Sequence, residues 1–375
     1  MLLNKNALAV ARGLGIIFVV RGHMTTQDPF FVHPYGFHMP LFFFLSGMSL
    51  LASLPVASLL KRDSQSLLFY TLVHVGIFAT LTVLVFQPMG LNLRTSSPLD
   101  WQTYFTKPFT ANSHHVILFL VAWFLIALFF VRLLCVLILK GLAQLPERFG
   151  LVLQIIIATC MGFLGMQIFA SELASSKFWL WNVLSQVFVG AFFCLLGHVA
   201  QNKLRLPGLL PCLLAAVLLY AVYYVISHLL TTVPMSMAFS LYKSGFLVHT
   251  FLAFLGIAMV LFAAEGLQSL SWLKTLGIYS KPIMSWHMTV FASINLVFAV
   301  LGLVSPSAVN AFTMVKPTRP HFIILYLALG IAAPVLAARI LEKARKGQWL
   351  AAIQRQALFH IGRTDENKSV SPEQP

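Results

Sequence analysis

The stretch "RGLGIIFVVRGH", Arg12 to His23, sets two arginines and a histidine inside a run that otherwise reads as a membrane span. Basic side chains at membrane depth are costly and usually have a reason. On a helix, 100° per residue carries His23 about 20° past three full turns from Arg12, so both share one face roughly 16 Å apart. Arg21 is two residues before His23 and faces elsewhere; it snorkels outward or bonds another helix and receives no catalytic role. Taken singly, Arg12 reads as a snorkelling interface residue and His23 as a packing residue. Their pairing at this spacing joins a fixed cation at the inner rim to a titratable imidazole deeper in the bundle.

The rest of the chain supports a membrane setting. Of 375 residues, 59% are hydrophobic and 9% charged, against roughly 25% charged in a soluble domain. The 33 Phe and 7 Trp suit lipid-facing surfaces and interfacial belts. The +15 formal charge could suggest nucleic acid as a partner, but no basic run lies beside a soluble fold, so none is expected. Cys135, Cys160, Cys194 and Cys212 fall within apolar runs without metal-type spacing and read as small apolar fillers. The N-terminus lacks a small-residue cleavage site, so the first span is expected to be retained.

Apolar runs long enough to cross, about 20 residues each, number ten. They lie near 8–27, 36–60, 67–87, 116–139, 150–170, 179–200, 207–228, 245–264, 275–303 and 321–342. In lipid these must be helices, because backbone groups need partners within each segment. The expected fold is therefore all-α, a polytopic bundle over 1–342 followed by a cytoplasmic tail over 343–375, partly amphipathic and then disordered. With the N-terminus inside, eighteen Lys and Arg fall on inner segments and six on outer loops. The positive-inside rule then puts both termini in the cytoplasm.

A second stretch, "FHMPLFFFLSGM", Phe37 to Met48, opens the second span. Pro40 near the first turn loses little by lacking an N–H, and Ser46-Gly47 allows close helix contact. The outer connection is short, so His38 is expected to re-enter near the level of His23, and two imidazoles there define one polar site. His287, ten residues beyond Gly277, should also reach membrane depth. All ten acidic residues read as lying in loops, at span edges or in the tail. Asp28, in the adjacent outer loop, is then the carboxylate available to His23 if the loop folds back. The lack of mid-span acids disfavours a proton-coupled transporter or flippase using the same polar stripe. Metal binding is not expected, because no carboxylate cluster accompanies the histidines.

The arginine, ten residues and a histidine, followed by "FHMPLFFFLSG", resemble the membrane-bound acyltransferase family 3. The similarity continues in "KRDSQSLLFY", "AWFLIALFFVRLL" and "LKTLGIYSKPIMSWHMTVF", over nearly the whole chain. The resemblance implies a bacterial inner-membrane enzyme that moves an acyl group, acetyl from acetyl-CoA being expected, from cytoplasmic acyl-CoA to a hydroxyl. The acceptor it implies is a periplasmic glycan or lipid-linked sugar in contact with membrane lipid. No permanently bound cofactor is expected. Arg12 and His23 match the family's paired motif. His23 is suited to general base or transient acyl carrier, and Arg12 to a coenzyme phosphate or polarised carbonyl. The family's third span opens with two arginines separated by two residues; here Arg62 stands with Gln65 in the second position, and Lys61 beside it as a substitute charge. His38, Trp123 and His287 are expected to line the reaction chamber with His23.

Overall fold

The computed structural model describes residues 5–24, 32–86, 117–229, 235–303 and 322–366. These form α1 (Lys5–Gly22), α2 (His38–Met48) and α3 (Val56–Val85). They continue as α4 (Ala122–Leu142), α5 (Glu147–Ser176), α6 (Trp179–Lys203), α7 (Leu209–Leu229) and α8 (Gly245–Gly266). The last three are α9 (Ser271–Ile278), α10 (Ser280–Val300) and α11 (Ile323–Glu366). Among the described residues no sheet forms, and Ser236 and Leu241 make an isolated bridge.

Among the described residues, eight helices are long and apolar enough to cross a bilayer. The chain is an all-α, multi-pass membrane protein. The first two of the ten expected segments are present as helices but differ in kind from the eight. α1 carries Lys5, Arg12 and Arg21 in 18 residues, and α2 has only 11 residues, about 16 Å of helix. The two helices outside the eight, α1 with its three basic residues and α2 with its short length, are the pair that frames the candidate site.

Four boundaries depart from expectation. The second segment stops at Met48 rather than near residue 60. There Ser49 turns its hydroxyl back onto the Leu45 and Ser46 carbonyls at 2.8 and 3.2 Å, a local competitor for helix continuation. Pro55 then disfavours helical geometry in the residue before it and starts the next helix at Val56. α3 therefore begins eleven residues earlier than the expected 67. The ninth segment is divided at Tyr279 into α9 and α10. α11 continues without a break past residue 342 to Glu366.

Small residues bring the site helices together. A Cβ on Gly47 would collide with the Cys194 carbonyl, and one on Gly197 with that of Phe44, so α2 and α6 pack backbone to backbone. Gly13 against Leu273 and Gly277 against Ala9 do the same for α1 and α9. Such contacts hold helices where burial of apolar surface gives little net drive. Cys135, Cys194 and Cys212 are buried and Cys160 is exposed; none of the four is in a disulfide.

Candidate functional site

α1 and α2 run antiparallel with a constant register. Arg12 meets Ser49 just beyond the end of α2, while His23 lies near the start of α2, with the Tyr35 ring between it and His38. Eleven residues separate Arg12 from His23, the residue just after α1, and eleven separate His38 from Ser49, the residue just after α2. The short helix α2 thus has a histidine end and an arginine end.

At the histidine end three imidazoles repeat one local geometry. Nδ1 of His23, His38 and His287 donates to the carbonyl four residues earlier, Val19 at 2.9 Å, Pro34 at 2.7 Å and Ile283 at 3.0 Å. A ring nitrogen that donates carries the proton in the neutral imidazole, leaving the other as acceptor. His287 Nε2 then accepts from His23 Nδ1–H at 3.2 Å, a hydrogen that His23 shares with Val19. The network leaves the lone pair of His23 on Nε2. All three histidines are buried, and the His23 and His287 rings lie 4.9 Å apart.

Tyr35, in the turn between α1 and α2, stands between these rings: its centroid is 6.4 Å from His23, 5.0 Å from His38 and 5.5 Å from His33. Burial pushes the Tyr35 phenol up to about 12, so it remains a hydroxyl. Burial, then Arg21 and His228, lower His33 from its ordinary value. Arg21 is buried and donates from Nη1 to the Met24 carbonyl at 2.8 Å, bonding its own chain rather than snorkelling outward.

The arginine end is built from charge. Arg12 Nη2 donates to Ser49 Oγ at 3.1 Å. Arg132, from the middle of α4, donates from Nη1 to Ser46 Oγ at 3.0 Å and from Nε to Asp63 Oδ2 at 2.6 Å. The second Asp63 oxygen takes Arg62 Nε at 2.9 Å. The carboxyl-terminal end of α2 carries partial negative charge, which favours guanidinium groups beside it.

Sequence reasoning missed two of these residues. Asp63 was expected at a span edge, but it lies within α3 with its side chain 6% exposed. Arg132 was expected only as one of the basic residues of the inner segments, but its side chain is 13% exposed and pairs with that carboxylate. The available signals were Asp63 next to Arg62 and an arginine in the middle of an apolar run. Asp63 is held by two guanidiniums, so it does not act as the free intramembrane acid that a proton relay uses.

The remaining candidates are spread around this frame. Lys61, Arg62 and Gln65 are exposed at the start of α3, where Ser64–Phe69 widens into π-helix. Trp123 is buried in the first turn of α4 against Phe124, with ring centroids 6.1 Å apart. Asp28 lies outside the described residues. A further polar wall joins α3 to α10: the Tyr70 hydroxyl donates to Ser285 Oγ at 3.0 Å, and Lys281 Nζ donates to the Ser66 carbonyl at 3.1 Å. His74 stacks on Tyr70 at 3.8 Å, and Trp286 meets its edge at 5.9 Å.

Fold and site together define a multi-pass membrane protein with a buried imidazole cluster and a guanidinium cluster at opposite ends of one short helix. The family model described as "Acyltransferase domain" matches residues 5–339, and the chain belongs to this family of membrane acyltransferases, acyltransferase family 3. No curated protein and no solved structure matches the chain.

Proposed function

We propose that the protein is an integral O-acyltransferase that takes an acyl group, acetyl in the simplest case, from acyl-CoA at the arginine end of α2. It delivers that group at the histidine end to a hydroxyl of a periplasmic or lipid-linked glycan. The observation that carries this reading is the matched register of α1 and α2, which aligns the Arg12–Ser49 and His23–His38 levels along one helix. The orientation rests on the bias of basic residues: both termini in the cytoplasm, the arginine end facing inward, and an inner membrane as the setting.

In this mechanism His23 Nε2 accepts the acceptor's hydroxyl proton as that oxygen attacks the thioester carbonyl. The carbonyl electron pair moves to oxygen in the tetrahedral intermediate. Its collapse expels the coenzyme thiolate, which takes the proton back from the imidazolium. His287 and the Val19 carbonyl hold His23 Nδ1–H throughout, fixing the tautomer that leaves Nε2 basic. This is the orienting task that Asp28 was expected to fill. Arg12, a planar cation with several N–H groups, binds a phosphate of the donor, whose arm runs along α2 and brings the thioester to the histidine end. Lys61, Arg62 and Gln65 flank the donor entrance, and Trp123 packs the chamber wall.

The test is label transfer in nanodiscs from radiolabelled acetyl-CoA to surface-glycan acceptors. Wild type should label an acceptor, while His23→Ala and Arg12→Ala should each lose most transfer. Equal labelling by both variants would reject the assignment. Net movement of unmodified acceptor across the bilayer without labelling would instead identify a flippase.

A further inference from the structure

The guanidiniums at the arginine end are not equivalent. Arg132 is neutralised by Asp63, which it shares with Arg62. Arg12 makes one hydrogen bond among the described residues, to the neutral Ser49 hydroxyl, and no carboxylate pairs with it there. Arg12 and Arg132 reach the same end of α2, each through a serine hydroxyl. Their partners Ser49 and Ser46 are three residues apart and lie on one side of α2.

Two like charges crowded on one helix end in a low-dielectric setting are unfavourable unless one is compensated. Of Arg12 and Arg132, Asp63 compensates Arg132; its other partner, Arg62, has a side chain 46% exposed and is also solvated. The neutralised pair also ties three helices together, since Asp63 lies on α3, Arg132 on α4 and Ser46 on α2. Among the described residues, Arg12 is left with its charge and most of its N–H groups uncommitted.

We infer that Asp63 and Arg132 are positioning residues for donor binding: they form a charge-paired strut that fixes the end of α2 and leaves Arg12 as the cation open to the donor's phosphate oxygen atoms. This inference rests on the acyltransferase reading above. Loss of the carboxylate frees Arg132 to repel Arg12 and to compete for the same donor group. Loss of both charges removes the competitor. The functional effects of the two substitutions are therefore coupled.

The experiment measures donor KM, acceptor KM, kcat and Tm for wild type, Asp63→Asn, Arg132→Lys and the double variant Asp63→Asn/Arg132→Gln in nanodiscs. Asp63→Asn should raise donor KM about tenfold with acceptor KM within about twofold. Arg132→Lys keeps the charge but not the two-point fork, and should raise donor KM about threefold. The double variant should bind donor better than Asp63→Asn alone. If Asp63→Asn does not fold, Arg132→Lys carries the test. Unchanged donor KM in the folded variants, or equal rises in donor and acceptor KM with a lowered Tm, overturns the inference. Wild-type protein that transfers no label from acyl-CoA removes the proposed function and this inference together. An active wild type with indifferent variants removes only the strut.

Discussion

The two ends of α2 are held in opposite ways. At the histidine end, each imidazole is held by a carbonyl four residues back on its own chain, so its tautomer is set locally and the His287 contact to His23 adds to it. At the arginine end, the decisive contact joins Arg132 to a carboxylate 69 residues away. Local bonding makes a neutral, rigid base; long-range pairing decides which of several cations remains uncommitted. One end is thus suited to moving a proton, the other to receiving a charged or polarised group.

The largest effect expected from this contrast is at His23. Replacing it by Ala removes the one imidazole whose Nε2 is presented by a neighbouring imidazole, and should lower kcat by about 10²–10⁴. His287→Ala leaves His23 but removes its acceptor; kcat should fall by about tenfold or more while donor KM stays within about twofold. A rise in donor KM alone would move His287 from the histidine end to the donor site. Arg12→Lys should show the reverse pattern, with donor KM raised severalfold and kcat less affected.

The helix between the two ends can be disturbed directly. Gly47→Leu drives a side chain into the Cys194 backbone and should destabilise the protein by about 1–3 kcal/mol or more, read as a lower Tm together with loss of activity. Full stability would show that α2 is free to shift against α6. The smallest effect belongs to Gln65, which is exposed at the edge of the cluster. Gln65→Arg should be neutral or lower donor KM by about twofold; a large rise would reject the expectation that it stands near the donor entrance.

What could be read from the sequence follows the same division. The Arg12–His23 spacing is arithmetic along one helix, and the short connection to His38 limits how far apart the two imidazoles can lie. His287 was reachable from its depth beyond Gly277. The contact between His23 and His287 spans 264 residues, and the pattern could bring them to one chamber but not to hydrogen-bond distance. Asp63 and Arg132 were harder. Nothing local distinguishes a span-edge Asp from one turned inward, and Arg132 needs its partners on α2 and α3 before it differs from the other basic residues of the inner segments. The early end of α2 was likewise hidden. "SLLASL" reads as apolar continuation until the Ser49 hydroxyl is seen turned back on its own helix.

Sidedness offers the most direct test of the two-ended account. Proteoliposomes of known orientation would receive labelled acetyl-CoA on one face and a membrane-impermeant glycan acceptor on the other. Transfer should occur when donor meets the cytoplasmic face and acceptor the opposite face, and should fail when the two are exchanged. Transfer only with both substrates on the same face would contradict a site whose donor and acceptor ends are separated by α2.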